Sequence, residues 1–145
     1  MTTVVIQEAR ARDTVGSFSQ MPDAAATTAP SSDSAEAALA FLAEMSPDLR
    51  GAAVLGPEGE VLATTGGEPE RWAEDAATLF AAADAAEGTP VEQVHIATEQ
   101  GEVFALRNEG LSAVAVTERF ALASLLLFDL RSMLRELAKG AGGAS

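Results

Sequence analysis

Apolar positions along this chain repeat with two periods, and the switches between them mark its elements. From Asp33 to Met45 the period is helical, with Ala35, Ala38, Leu39, Leu42 and Met45 on one face. Asp33 followed by Glu36 has the spacing of a capping box, and Pro47 stops the helix. The period then drops to two. Ala52 to Leu55 and Val61 to Thr64 are short apolar arms around Gly56-Pro57-Glu58-Gly59, which reads as a β-hairpin. Pro57 presets a type I turn, and Gly59 supplies the left-handed residue that re-enters a strand through a bulge. Both alternating faces of the first arm are apolar, which predicts a strand covered on both sides. Pro69 opens a second helix that runs to about Ala86 and ends at Gly88, with Trp72, Ala76, Leu79, Phe80 and Ala83 as its main stripe. Val91 to Thr98 and Glu102 to Arg107 follow as strands joined at Gly101, and Leu111 to Val116 comes after Asn108-Glu109-Gly110. Thr117 and Glu118 then have the chemistry of a helix start, for a long helix to about Lys139. Leu122 to Leu130 is apolar almost all round, which predicts burial on more than one side.

The element order is α-β-β-α-β-β-β-α. The expected fold is α+β, with three α/β/α layers around a five-stranded antiparallel sheet. Residues 33–139 read as one domain, residues 1–32 as a flexible tail and residues 140–145 as a disordered end. Within the tail, Thr3-Val4-Val5-Ile6 is β-prone and long enough to add to a sheet edge, its own or a partner's.

Composition narrows the function. A formal net charge of -13 argues against nucleic acid and anionic membrane surfaces, which call for clustered Lys and Arg. It suits either a solvated acidic surface or a basic partner. There is no cysteine, so disulfides, thiolate zinc sites and cysteine nucleophiles are excluded. No run is long enough to span a bilayer, and no apolar leader opens the chain, so a cytoplasmic protein is expected.

The order of elements, the Arg50-Gly51-Ala52-Ala53-Val54-Leu55 strand, the Pro57-Glu58-Gly59 turn and Val61-Leu62-Ala63 resemble the roadblock/LC7 family. The likeness spans about residues 33–138. It implies a homodimer joined by the middle helices and by the strands beginning at Val91. It also implies a non-catalytic adaptor role, in bacteria alongside small Ras-like GTPases. On this resemblance the candidate dimer interface is Trp72, Ala73, Ala76, Ala77, Phe80, Ala81, Val91, Gln93 and His95, and the candidate partner contacts are Arg71, Glu74, Asp75 and Arg107. The row Ala73, Ala77, Ala81 independently favours close helix approach, since alanine leaves the backbone accessible.

The residues themselves point away from catalysis. Lys139 is the only lysine, so a phosphate loop of the G-x-x-x-x-G-K-[ST] kind is absent. His95 is the only histidine, which rules out a metal site of several histidines within one chain. It reads as a surface or interface residue, and near a dimer axis its protonation would weaken pairing. The carboxylate pairs Glu74 with Asp75 and Glu99 with Glu102 read as solvated surface. No cofactor or metal is expected. Two other readings stay open: a scaffold subunit without a GTPase, and a small-ligand sensor, which would need a roomy polar pocket.

Overall fold

The computed structural model describes residues 3–8 and 30–143, and the remaining expectations for the tail and for residues 144–145 lie outside them. The elements are β1 (Thr3–Glu8), α1 (Ser32–Met45), β2 (Leu49–Leu55), β3 (Val61–Thr65), α2 (Pro69–Glu87), β4 (Val91–Ala97), β5 (Glu102–Asn108), β6 (Leu111–Thr117) and α3 (Ala123–Gly143). One antiparallel sheet runs β1-β4-β5-β6-β2-β3.

Strand alternation divides the interior into two cores, as the two-faced arms require. Ala52 and Val54 of β2, with Phe104 and Leu106 of β5, pack beneath α1 and α3. Ala53, Leu55, Ala105 and Val114 point the other way and pack beneath Ala76, Phe80 and Ala83 of α2. The expected three-layer α+β architecture is therefore present.

The turns follow the residue chemistry. Gly59 sits at φ 85, its N–H donates to the Gly56 carbonyl, and the register shifts between Val54 and Leu55. At Gly101 the reason for glycine is space: a Cβ would collide with the Thr117 carbonyl on the neighbouring strand. Pro69 opens α2 and Gly88 closes it, as expected.

Four boundaries differ from the sequence reading. The sheet has six strands, because Thr3–Glu8 pairs along β4, from Thr3 opposite Ala97 to Glu8 opposite Val91. The cap of α1 is Ser31, whose Oγ accepts the Ser34 N–H, ahead of the expected Asp33 box. Thr117 and Glu118 do not start α3. Thr117 is buried at the end of β6, and Glu118 forms a two-pronged ion pair with Arg50 at 2.8 and 3.0 Å. That pair clamps the ends of β2 and β6, and α3 starts only at Ala123. Finally, α3 continues to Gly143 rather than ending near Lys139.

Candidate functional site

Helix α2 carries most of the candidate interface. Its core stripe is spent inside the single chain: Ala76 and Phe80 are buried, and so is Val91 at the start of β4. The side chains of these three are spent on the core between α2 and the sheet. Trp72 is half-buried, with its indole N–H donating to the Gly66 carbonyl and its ring against Gly51 and Gly67. It fastens the start of α2 to the end of the β2–β3 hairpin. Ala73 is half-buried, while Ala77 and Ala81 are exposed beside Thr78, Ala82 and Ala85. The outer face of α2 is thus a strip of small side chains.

The partner-contact candidates separate. Arg71, Glu74 and Asp75 are exposed on the first turns of α2, with Arg71 3.7 Å from Asp75. Arg107 is engaged internally. Its Nη2 donates to both Asp84 carboxylate oxygens at 2.9 Å, and its guanidinium lies 4.2 Å from the Phe80 ring centre. Asp84 also accepts the Val91 N–H at 2.9 Å. Partial burial pushes the Asp84 carboxyl up, but the Val91 N–H and the Arg107 guanidinium outweigh it and hold the carboxyl below its ordinary value. Arg107 therefore ties the end of α2 to β4 and β5.

The edge of β4 differs from expectation. Val5 stands opposite His95 and Gln7 opposite Gln93, so the chain's own β1 covers this edge. The side chains of Gln93 and His95 serve the α3 layer. Gln93 accepts from Arg131 of α3 at 2.9 Å. His95 stacks on Phe104, ring centres 4.4 Å apart, and its Nε2 lies 2.8 Å from Glu102 Oε1. His95 is thus a half-buried structural residue and not a group near an open edge.

Glu102 corrects the carboxylate reading. It is 7% exposed, and its second oxygen accepts the Phe120 N–H at 2.8 Å. Phe120 has φ 64, a left-handed conformation that costs a bulky residue about 1–2 kcal/mol. The carboxylate holds this turn and so sets where α3 begins. The signal was in the parity. Counting back from the Gly101 turn puts residues 95 and 102 on one face as diagonal neighbours.

Large exposed apolar side chains are absent from α2 and concentrated elsewhere. Among the described residues, six of eight lie on α1, on α3 or in the turn before α3: Phe41, Met45, Phe120, Leu122, Leu125 and Phe128. The other two are Val4 and Val5 of β1. The expectation that α3 is buried on several sides fails here, because α1 flanks it on one side only and its outer residues meet solvent.

At the other end of the sheet an open hollow of about 560 Å³ lies between the Gly56–Gly59 and Asn108–Gly110 turns. Arg107 is its only lining cation, and Asp84 already holds it. Among the described residues no three His, Cys, Asp or Glu side chains gather into a metal-sized group, and no helix is long and apolar enough to cross a membrane.

Neither a protein-family model nor a curated protein matches the sequence. Solved structures match by shape. The gliding protein MglB from Thermus thermophilus superposes with a TM-score of 0.62 at 19% identity, over 75% of this chain and 89% of its own. A roadblock/LC7 domain from Streptomyces avermitilis gives 0.57 at 20% identity, over 67% and 88%. A structure described as MglB with tetrameric arrangement gives 0.56 at 18%, over 75% and 88%. The chain therefore has the roadblock/LC7 fold, as the sequence resemblance implied.

Proposed function

We propose that this chain is a non-catalytic, homodimeric cytoplasmic adaptor that binds a small Ras-like GTPase and modulates its activity. The observation that carries the reading is the shared fold with MglB and a roadblock/LC7 domain, together with the MglB structure that has a tetrameric arrangement. Copies would meet through the small outer face of α2, where Ala77 and Ala81 let two backbones approach closely. Arg71, Glu74 and Asp75, exposed at the start of α2, would then flank the joint and face the partner.

Strand β1 sets a condition on this dimer. Neighbouring strands lie about 4.8 Å apart, so two β1 strands left between two β4 edges would hold the α2 helices about 10 Å further apart. Contact between the alanine rows and continuous sheet pairing then call for β1 to leave its edge. Val4 and Val5 are 50% and 51% exposed, so on leaving β1 gives up its ladder to β4 and the packing of half-buried Ile6 against the α2-side core. The chain's own edge strand would act as the competitor of a second copy.

The test is GTP turnover by a purified Ras-like GTPase from the same genome, with and without this protein. A changed rate and a stable complex are expected. No complex and no change in rate would overturn the GTPase reading. A scaffold role without a GTPase is the second reading, favoured by one observation: the large exposed apolar residues cluster on α1 and α3, away from α2.

A further inference from the structure

Helices α1 and α3 leave a groove between them. One hollow of about 300 Å³ is lined by Phe41, Leu42, Met45, Met133 and Leu137 among others. A second, of about 220 Å³, adjoins it at Met45 and continues past Leu122, Leu125 and Leu126. Along α3 the lining positions step 125, 129, 132–133, 136–137, so one face of the helix floors the groove from end to end. At about 1.5 Å per residue, Leu125 to Leu137 spans roughly 18 Å, enough for about three turns of a second helix. Phe41, Met45, Leu122 and Leu125 are each more than half exposed there, a concentration of apolar surface that soluble chains seldom leave bare without a use.

The charges select the occupant. Every charged residue lining the two hollows is acidic: Asp48, Asp129 and Glu136. Lys139 sits 3.8 Å from Glu136, but both are about 70% exposed and the pair is weak. A second copy of this chain would bring the same carboxylates to the same place, and each copy carries a formal net charge of -13. We infer that the α1–α3 groove docks an amphipathic helix of a partner protein, with an apolar stripe at i, i+3, i+4, i+7 and Lys or Arg beside it. The stripe fills the floor and the basic residues meet Asp129 and Glu136. This surface lies across the sheet from α2, so it serves a partner distinct from a twin copy.

The test uses the full chain and a fluorescein-labelled synthetic helix of about 16 residues, with Leu at stripe positions and Lys alongside. A second peptide has Glu in place of each Lys. Fluorescence anisotropy is expected to show saturable binding of the Lys peptide, at least about tenfold tighter than the Glu peptide. Leu125→Ser is expected to weaken it about tenfold or more, and Asp129→Asn severalfold with a flatter salt dependence. Both positions reach the surface, and circular dichroism checks that the variants fold. Ala77→Glu on α2 is expected to leave peptide binding unchanged, which separates this surface from the α2 dimer reading. Equal binding of the two peptides, no binding at about 100 µM, or indifference to Leu125→Ser would overturn the inference. So would self-association of the chain that Leu125→Ser abolishes, since a second copy would then be the occupant.

Discussion

Replacing Glu102 with alanine should destabilise the domain, because it removes a buried carboxylate that has two partners. The wild-type carboxylate is buried and does two jobs at once, 2.8 Å from His95 Nε2 and 2.8 Å from the Phe120 N–H. Losing a hydrogen bond to a charged group costs about 1.5–3 kcal/mol. The Phe120 N–H belongs to a half-open turn, so its lost partner adds only about 1 kcal/mol. The sum is about 3 kcal/mol, against a typical domain stability of about 5–15 kcal/mol. At about 4 °C per kcal/mol for a domain of this size, Tm should fall by about 10 °C. Glu102→Gln keeps an acceptor for Phe120 and a polar partner for His95, and should cost only about 1 kcal/mol. Urea unfolding and thermal scans measure both. The Phe120 amide should also exchange faster in Glu102→Ala than in Glu102→Gln. Equal stability of the two variants, or an Ala variant within about 0.5 kcal/mol of wild type, would refute the reasoning.

Three other outcomes follow from named contacts. Glu109 and Gly110 form a two-residue turn with φ 56 and φ 83, so Glu109→Asn, which tolerates that conformation better, should stabilise the chain by about 0.5–1 kcal/mol in urea unfolding. The Asp84 carboxyl is held below its ordinary value, so its contribution is complete above the unfolded-state pKa and fades as pH falls through the lower folded value. Asp84→Asn should therefore be less stable than wild type at pH 7, with the gap closing below about pH 4 in pH-dependent melts. Gly101→Ala should cost several kcal/mol or prevent folding, because the added Cβ meets the Thr117 backbone and not a movable side chain; soluble yield and Tm report it.

The sequence disclosed what depends on neighbours in the chain. Alternation in Ala52 to Leu55 announced the two-sided sheet, and Pro69 with Gly88 bracketed α2 to within a residue. It disclosed less where a distant partner decides. Glu118 resembles a first-turn helix residue, but its oxygens go to Arg50, 68 positions away. Phe120 has nothing local to recommend a left-handed turn, and Glu102, 18 residues back, supplies the acceptor that holds it. Thr3-Val4-Val5-Ile6 reads either as an edge strand or as a leader, because four residues cannot reveal whether an edge awaits them, and the strand that forms is Thr3–Glu8. The candidate interface is half legible. Helical spacing finds the alanines that remain outside, but it cannot tell that Phe80 and Val91 are consumed by the core beneath. The exposed face of α3 escapes the pattern because an all-round apolar run says nothing about how many neighbours arrive to cover it.

Whether the outer face of α2 joins two copies, with β1 standing in the way, is settled most directly by sedimentation equilibrium on three proteins: the full chain, Ala77→Glu, and the double substitution Val4→Pro with Val5→Pro. Successive N–H groups on a strand point to opposite edges, so one of the two prolines removes a donor aimed at β4 and detaches β1. The full chain should show a reversible dimer, the proline variant a dimer at least about tenfold tighter, and Ala77→Glu a monomer. A full chain and proline variant that both stay monomeric up to about 1 mM, or a dimer untouched by Ala77→Glu, would contradict it.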